Sequence, residues 1–290
     1  MKVIELIKED RVTISCEMFP PKKETMLPNY KELAVKMAAL KPSYFSCTYG
    51  ATGGTSDYTV EIADTINRQG VPALAHLTCA SSTKEKVHEV LAELKEHRIE
   101  NILALRGDIP VDAGFPLPNQ YHHAYELIRE IREAGDFCIG GACYPEGHPE
   151  AASMEEDLVH LKEKVEAGCE YLTTQMFFDN DIFYNFMFKA LKKGIDVPVV
   201  PGIMPVTTVS QVKKSASLTG NLIPPKFLRI VDCFADNPEA LKQAGIACAT
   251  EQIIDLIANG VKHVHIYSMN KPDVAGAIMD NLSGIFVRNC

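Results

Sequence analysis

A chain of 290 residues, 46% hydrophobic and 23% charged, has the composition of one large globular unit, which argues against disorder and suits a barrel of ~250 residues with insertions. Acidic residues outnumber basic ones 38 to 29, giving a net charge of −9, and without a basic run nucleic acid is an unsuitable partner. The opening MKVIELIKEDRVT carries charges where a signal peptide needs apolar residues, and no stretch approaches the ~20 apolar residues of a membrane span, so a cytoplasmic protein with no membrane association is expected.

From the amino terminus onward, strand-like apolar runs alternate with amphipathic helical runs eight times. The runs are 12–19, 44–49, 73–78, 101–105, 137–143, 171–175, 197–203 and 263–267. Residues 155–165 illustrate the intervening helices, with Leu158, Leu161 and Val165 at helical spacing and Gly168 as the stop. This rhythm predicts a (β/α)₈ TIM barrel, one catalytic domain over 1–290. The segment 221–260 is longer than a plain crossover and contains Pro224-Pro225, so an extra helical insertion is expected before the last strand, with 251–258 as the packing helix. Nine cysteines without a CxxC pair, among them Cys16, Cys47, Cys79 and Cys143 in apolar runs, read as reduced core thiols; Cys290 is read as an exposed end.

The fourth run ends abruptly, as NILAL gives way to Arg106-Gly107-Asp108. In a barrel the carboxyl ends of the strands converge on one mouth, so charge appearing where a buried strand stops marks a candidate site. The other strand ends add Glu17, Thr48 and Tyr49, His76, Tyr144 and His148, Gln175, and Lys271.

Each group has a plain reading beside a chemical one. Glu17, between an apolar strand and Pro20-Pro21, is either a general acid with a raised pKa or the structural partner of an arginine such as Arg106. Asp108 could simply pair with Arg106, although Gly107 between them lets a ligand approach the backbone closely. His76 sits in an apolar run, where a satisfied core histidine is the commoner outcome. His263 and His265 alternate on the last strand and face one side, as in metal-dependent hydrolases. Only His76 and His148 could complete such a ligand set, so no metal site is assigned. No strand interior carries a lysine placed for a Schiff base. The glycine-rich stretch from Tyr49 to Gly54 could wrap a cofactor or merely turn. The loop 144–150 and the helix after it read as a cofactor clamp, with Lys164 a point charge for phosphate, or else Asp157 and Lys164 form a solvated face.

Taken together, SCEMFPP at 15–21, TYGA at 48–51, HLTC at 76–79, ALRGD at 104–108, YPE at 144–146, HPEA at 148–151, TQ at 174–175, FFD at 177–179 and PGIMP at 201–205 resemble the bacterial methylenetetrahydrofolate reductase family, in family order. The resemblance implies a barrel that holds FAD noncovalently and reduces 5,10-methylenetetrahydrofolate to 5-methyltetrahydrofolate, with NADH or NADPH as co-substrate or a redox partner subunit as donor. It implies Glu17 as proton donor and Asp108 beside the flavin and pterin. Thr48, Tyr49, His76, Arg106, Gly107, Asp108 and Ala124 would line FAD, while Tyr144, His148, Ala151, Asp157, His160 and Lys164 would hold the rest of the dinucleotide. Gln175 and Lys271 would bind substrate, and a homo-oligomer is expected. Three positions depart from the family pattern. Val209 stands where a substrate-packing phenylalanine is usual, Lys271 where an arginine is, and Met18 where an aromatic is.

Overall fold

The structure, a computed structural model, describes residues 1–49, 58–80, 82–109, 119–212, 215 and 222–286. Nine strand segments run parallel: β1 Thr13–Met18, β2 Phe45–Cys47, β3 Ala73–Thr78, β4 Asn101–Leu105, β5 Cys138–Cys143, β6 Tyr171–Thr174, β7 Val199–Val200, β8 Gly202–Ile203 and β9 His263–Ile266. The sheet order is β7-β6-β5-β4-β3-β2-β1-β9-β8. Its two ends are one run of chain, because only Pro201 separates β7 from β8. Val199 and Val200 pair with β6, whereas Gly202 and Ile203 pair with β9. The expected seventh strand is therefore present in two pieces that serve opposite neighbours, and the barrel closes through it. Proline supplies no N–H, so the ladder breaks there, yet its carbonyl still accepts from the His265 N–H at 2.9 Å.

All six residues of β1 are buried, with no alternation, as expected for a parallel strand covered on both faces. Around the barrel lie α1 Val3–Lys8, α2 Leu27–Ala38, α3 Thr59–Asn67, α4 Lys84–Glu96, α5 Ala124–Ala134, α6 Met154–Glu166, α7 Asn180–Lys192, α8 Pro225–Cys233, α9 Pro238–Ala258 and α10 Pro272–Asn281. The short α1 plugs the amino-terminal end of the barrel. Its Val3, Ile4, Leu6 and Ile7 pack against Tyr44, Leu74, Leu103 and Tyr171, and its first turn is tied down by the Asn101 amide, whose oxygen accepts the Val3 N–H at 2.7 Å. Access is left to the carboxyl end.

The insertion before β9 supplies α8 and α9, and 251–258 is the last part of α9. Both helices start with proline at the first turn, where the missing N–H costs nothing, so Pro224-Pro225 opens a helix instead of extending a loop. Asn237 caps α9 by accepting the Ala240 N–H at 3.1 Å. Gly245 lets α9 touch the backbone after β8, since a Cβ there would lie 1.8 Å from the Val206 carbonyl oxygen. Cys16, Cys47, Cys79 and Cys143 are buried free thiols, as expected. The glycine-rich stretch 50–54 and Cys290 lie outside the described residues.

Candidate active site

At the carboxyl ends of the strands a cavity of about 360 Å³ opens, lined among others by Glu17, Phe19, His76, Tyr144, Gln175 and Met269. Glu17 is 5% exposed, and burial alone pushes its carboxyl group up to about 8. Among the described residues nothing hydrogen-bonds or ion-pairs with that carboxyl. The alternative partner is committed elsewhere: Arg106 grips Glu150 with both terminal nitrogens, at 2.7 and 2.8 Å. This bidentate contact also replaces the supposed Arg106–Asp108 pair, and Asp108 is exposed at the rim. Gly107 has φ +82°, and an added Cβ would lie 2.9 Å from the Cβ of Thr78, so only glycine fits between the two charges.

The barrel interior that Glu17 faces holds neutral histidines. His76 bonds the Ser46 hydroxyl through Nε2, and burial pushes it down to about 3. His265 bonds Ser15 through Nδ1 at 2.8 Å and is also pushed down to about 3, first by burial and then by His76. His263 meets Thr13 at 2.8 Å, and burial lowers its pKa too. The register of β1 with β9 sets Thr13 beside His263 and Ser15 beside His265, so these imidazoles are satisfied by neighbouring hydroxyls. Among the described residues no group of three or more His, Cys, Asp or Glu side chains is arranged around a metal position.

The remaining candidates lie after β2 and β5 and on α5 and α6. Thr48 donates its N–H to Met18 O at 3.0 Å, and Tyr49 meets the Ser82 hydroxyl at 3.2 Å. The Tyr144 ring meets the His148 ring edge-on at 4.6 Å, and the Ala151 N–H donates to His148 O at 3.0 Å. Asp157 accepts the His148 N–H at 3.1 Å, and burial raises its pKa. Lys164 reaches under β5 to donate to Ala142 O at 3.0 Å, with its pKa lowered by burial. Asp157 and Lys164 are thus tucked inward and are no solvated face. His160 is exposed, and its ring stacks at 6.3 Å on His123, the residue that precedes Ala124 at the start of α5. Lys164 and His148 supply donors and the Tyr144 ring lines the cavity, a combination that suits an anionic, aromatic ligand, while Arg106 is already closed on Glu150.

Gln175 lines the cavity, its side-chain oxygen accepting the Met176 N–H at 2.9 Å. Lys271 stands apart from the cavity lining, where its ammonium donates to Thr207 Oγ1 at 2.8 Å. Val209 packs into the apolar cluster of Val206, Phe178 and Phe227 and does not reach the cavity. Two residues that sequence reasoning passed over hold the mouth together: Ser268 donates to Glu17 O at 2.6 Å, and Asn270 brackets the Phe19 peptide units. Their only signal was position after the last strand, beside Lys271.

The family model described as Methylenetetrahydrofolate reductase matches residues 2–283. A 5,10-methylenetetrahydrofolate reductase of Pectobacterium carotovorum subsp. carotovorum is 37% identical over 94% of this chain and 91% of its own length. A probable methylenetetrahydrofolate reductase (NADH) of Oryza sativa subsp. japonica is 38% identical over 97% of this chain and 50% of its own, so the chain spans about half of that plant protein. Among solved structures, an uncharacterized protein from Clostridium thermocellum that binds two copies of 5-methyl-5,6,7,8-tetrahydrofolic acid aligns with TM-score 0.65 at 14% identity, covering 97% of this chain and 98% of that one, a likeness of fold.

Proposed function

The chain belongs to the methylenetetrahydrofolate reductase family, and we propose that it reduces 5,10-methylenetetrahydrofolate to 5-methyltetrahydrofolate, with FAD held noncovalently and NADH as the reductant. The observation that carries this reading is Glu17, a buried carboxyl with no partner among the described residues and a pKa pushed up by burial, at the open mouth of a parallel barrel. NADH is favoured as donor by the name of the plant relative.

Opening the methylene bridge of the folate needs a proton on the departing nitrogen. An ordinary carboxyl with a pKa near 4.3 would be almost wholly ionised at neutral pH, whereas one near 8 is about nine-tenths protonated at pH 7. Glu17 therefore stands ready as the acid, and protonation leaves an iminium carbon as the hydride acceptor. The cofactor, when bound, supplies hydride transfer between nicotinamide and folate. His148 and Lys164 would hold its phosphate-bearing portion, joined by Arg106 where phosphate takes the place of Glu150, and Tyr144 would offer it an aromatic face. Neutral His76 and His265 add no positive charge to the barrel interior that Glu17 shares, so neither draws its proton away. Gln175 offers a hydrogen-bonding amide to the pterin, and Asp108 places negative charge at the rim.

Glu17→Gln keeps shape but lacks the acidic proton. Stopped-flow reduction of FAD by NADH is expected to stay within a few-fold of wild type, while reoxidation by methylenetetrahydrofolate slows by ~10² to 10⁴. Equal loss in both half-reactions with FAD still bound would overturn the role of Glu17. A protein that holds no flavin would overturn the whole reading.

A further inference from the structure

We propose that Asn270, together with Ser268, is a positioning residue for Glu17: side chains after β9 extend the β1–β9 seam past its last backbone pair and fix the peptide units that follow the acid. This rests on the proposed reduction only for the kinetic part of its test.

The backbone register of β1 with β9 runs from Thr13 with His263 to Cys16 with Ile266. Beyond it the chain after β9 turns away, and the strand that carries Glu17 loses its main-chain partner on that side. Side chains take over. Ser268, 1% exposed, donates its hydroxyl to Glu17 O at 2.6 Å. Two residues on, the Asn270 amide accepts the Phe19 N–H at 2.8 Å and donates to Phe19 O at 3.1 Å. One amide side chain thus reproduces the paired donor and acceptor that a neighbouring strand would present. The three bonds hold the chain that follows the Glu17 Cα, from Glu17 O to Phe19 O.

The turn Ser268-Met269-Asn270 carries a backbone cost. Met269 and Asn270 adopt φ +53° and +58°, the left-handed region, without being glycine. Met269 lines the cavity with Glu17 and Phe19, so the unusual turn sits at the mouth itself. Asparagine is among the few residues that tolerate this region, but glycine tolerates it better. If φ were the only demand, glycine would serve; the double bond to Phe19 is what glycine cannot make. Lys271 continues the turn, its N–H donating to Ser268 O at 3.0 Å. Displacing a reacting group by about 1 Å can cost ~10²-fold in rate, and a buried carboxyl that tilts toward the mouth also regains water.

Asn270→Gly separates the two roles, because it eases the backbone and deletes the clasp. The expected result is flavin reduction by NADH within about two-fold of wild type and reoxidation by methylenetetrahydrofolate slowed at least tenfold, with the basic limb of its pH profile moved to lower pH. A readout independent of turnover is the ¹³C titration of the Glu17 carboxyl carbon in the folded protein, assigned by its disappearance in Glu17→Gln. Its midpoint should fall toward the ordinary carboxylate range in Asn270→Gly and, to a smaller extent, in Ser268→Ala, which serves if the glycine variant folds poorly. Wild-type rates and an unmoved Glu17 midpoint in both variants overturn the proposal, even if wild type reduces the folate. A moved midpoint in a protein whose wild type does not reduce the folate upholds the positioning role and sinks the proposed reaction instead.

Discussion

Removing the charge of Glu17 should make the protein more stable in base. The side chain is 5% exposed, lacks a partner among the described residues, and is pushed from an ordinary 4.5 up to about 8 by burial alone. A folded-state pKa above the unfolded one means that the folded chain binds the proton more tightly. The stabilisation is fully present below about 4.5 and is lost as pH rises through about 8. At about 1.4 kcal/mol for each tenfold change, the loss is on the order of 5 kcal/mol for the wild type and absent from Glu17→Gln, which cannot ionise. For a chain of this length, at roughly 1.6 °C per kcal/mol, the wild-type Tm should fall relative to the variant by about 8 °C between pH 4.5 and 9. Paired thermal unfolding of the flavin-free proteins across that range reads the difference, and all titrations common to both cancel. A flat difference would refute the reasoning, for it would mean that Glu17 is solvated or ion-paired.

Asp108→Asn removes the rim carboxylate while Arg106 keeps Glu150, so folding should be unaffected. The flavin reduction potential should rise and folate affinity fall, checked by redox titration and by binding measurements. Gly245→Ala drives a methyl group into the Val206 carbonyl oxygen, 1.8 Å from the ideal Cβ, and should cost about 3 kcal/mol in urea unfolding. Unchanged stability would mean that α9 can slide freely over the loop after β8.

The barrel was legible in the sequence because parallel strands covered on both faces are continuous apolar runs, a local property; the runs at 73–78 and 101–105 coincide with β3 and β4. Glu17 and the Arg106-Gly107-Asp108 turn were legible for the same reason, as polar groups appear where such a run stops. Pairing was another matter. Arg106 is as close in sequence to Asp108 as two side chains can be with one residue between, yet its fork closes on Glu150, 44 residues away. Whether Asp157 and Lys164 form a wet face or an inward one depends on how α6 lies over β5, and periodicity alone does not fix that rotation. Pro201 could be located in a strand, but that it divides the strand between two neighbours follows only from closure. Ser268 and Asn270 had no local signature at all, because their hydrogen bonds join chain positions 251 residues apart. Sequence patterns record which residues prefer burial and where the backbone must turn. The burial of Glu17 and the partners of Arg106 and Asn270 were decided by tertiary structure, since a hydrogen bond or a desolvated charge depends on what the rest of the fold brings within about 3 Å.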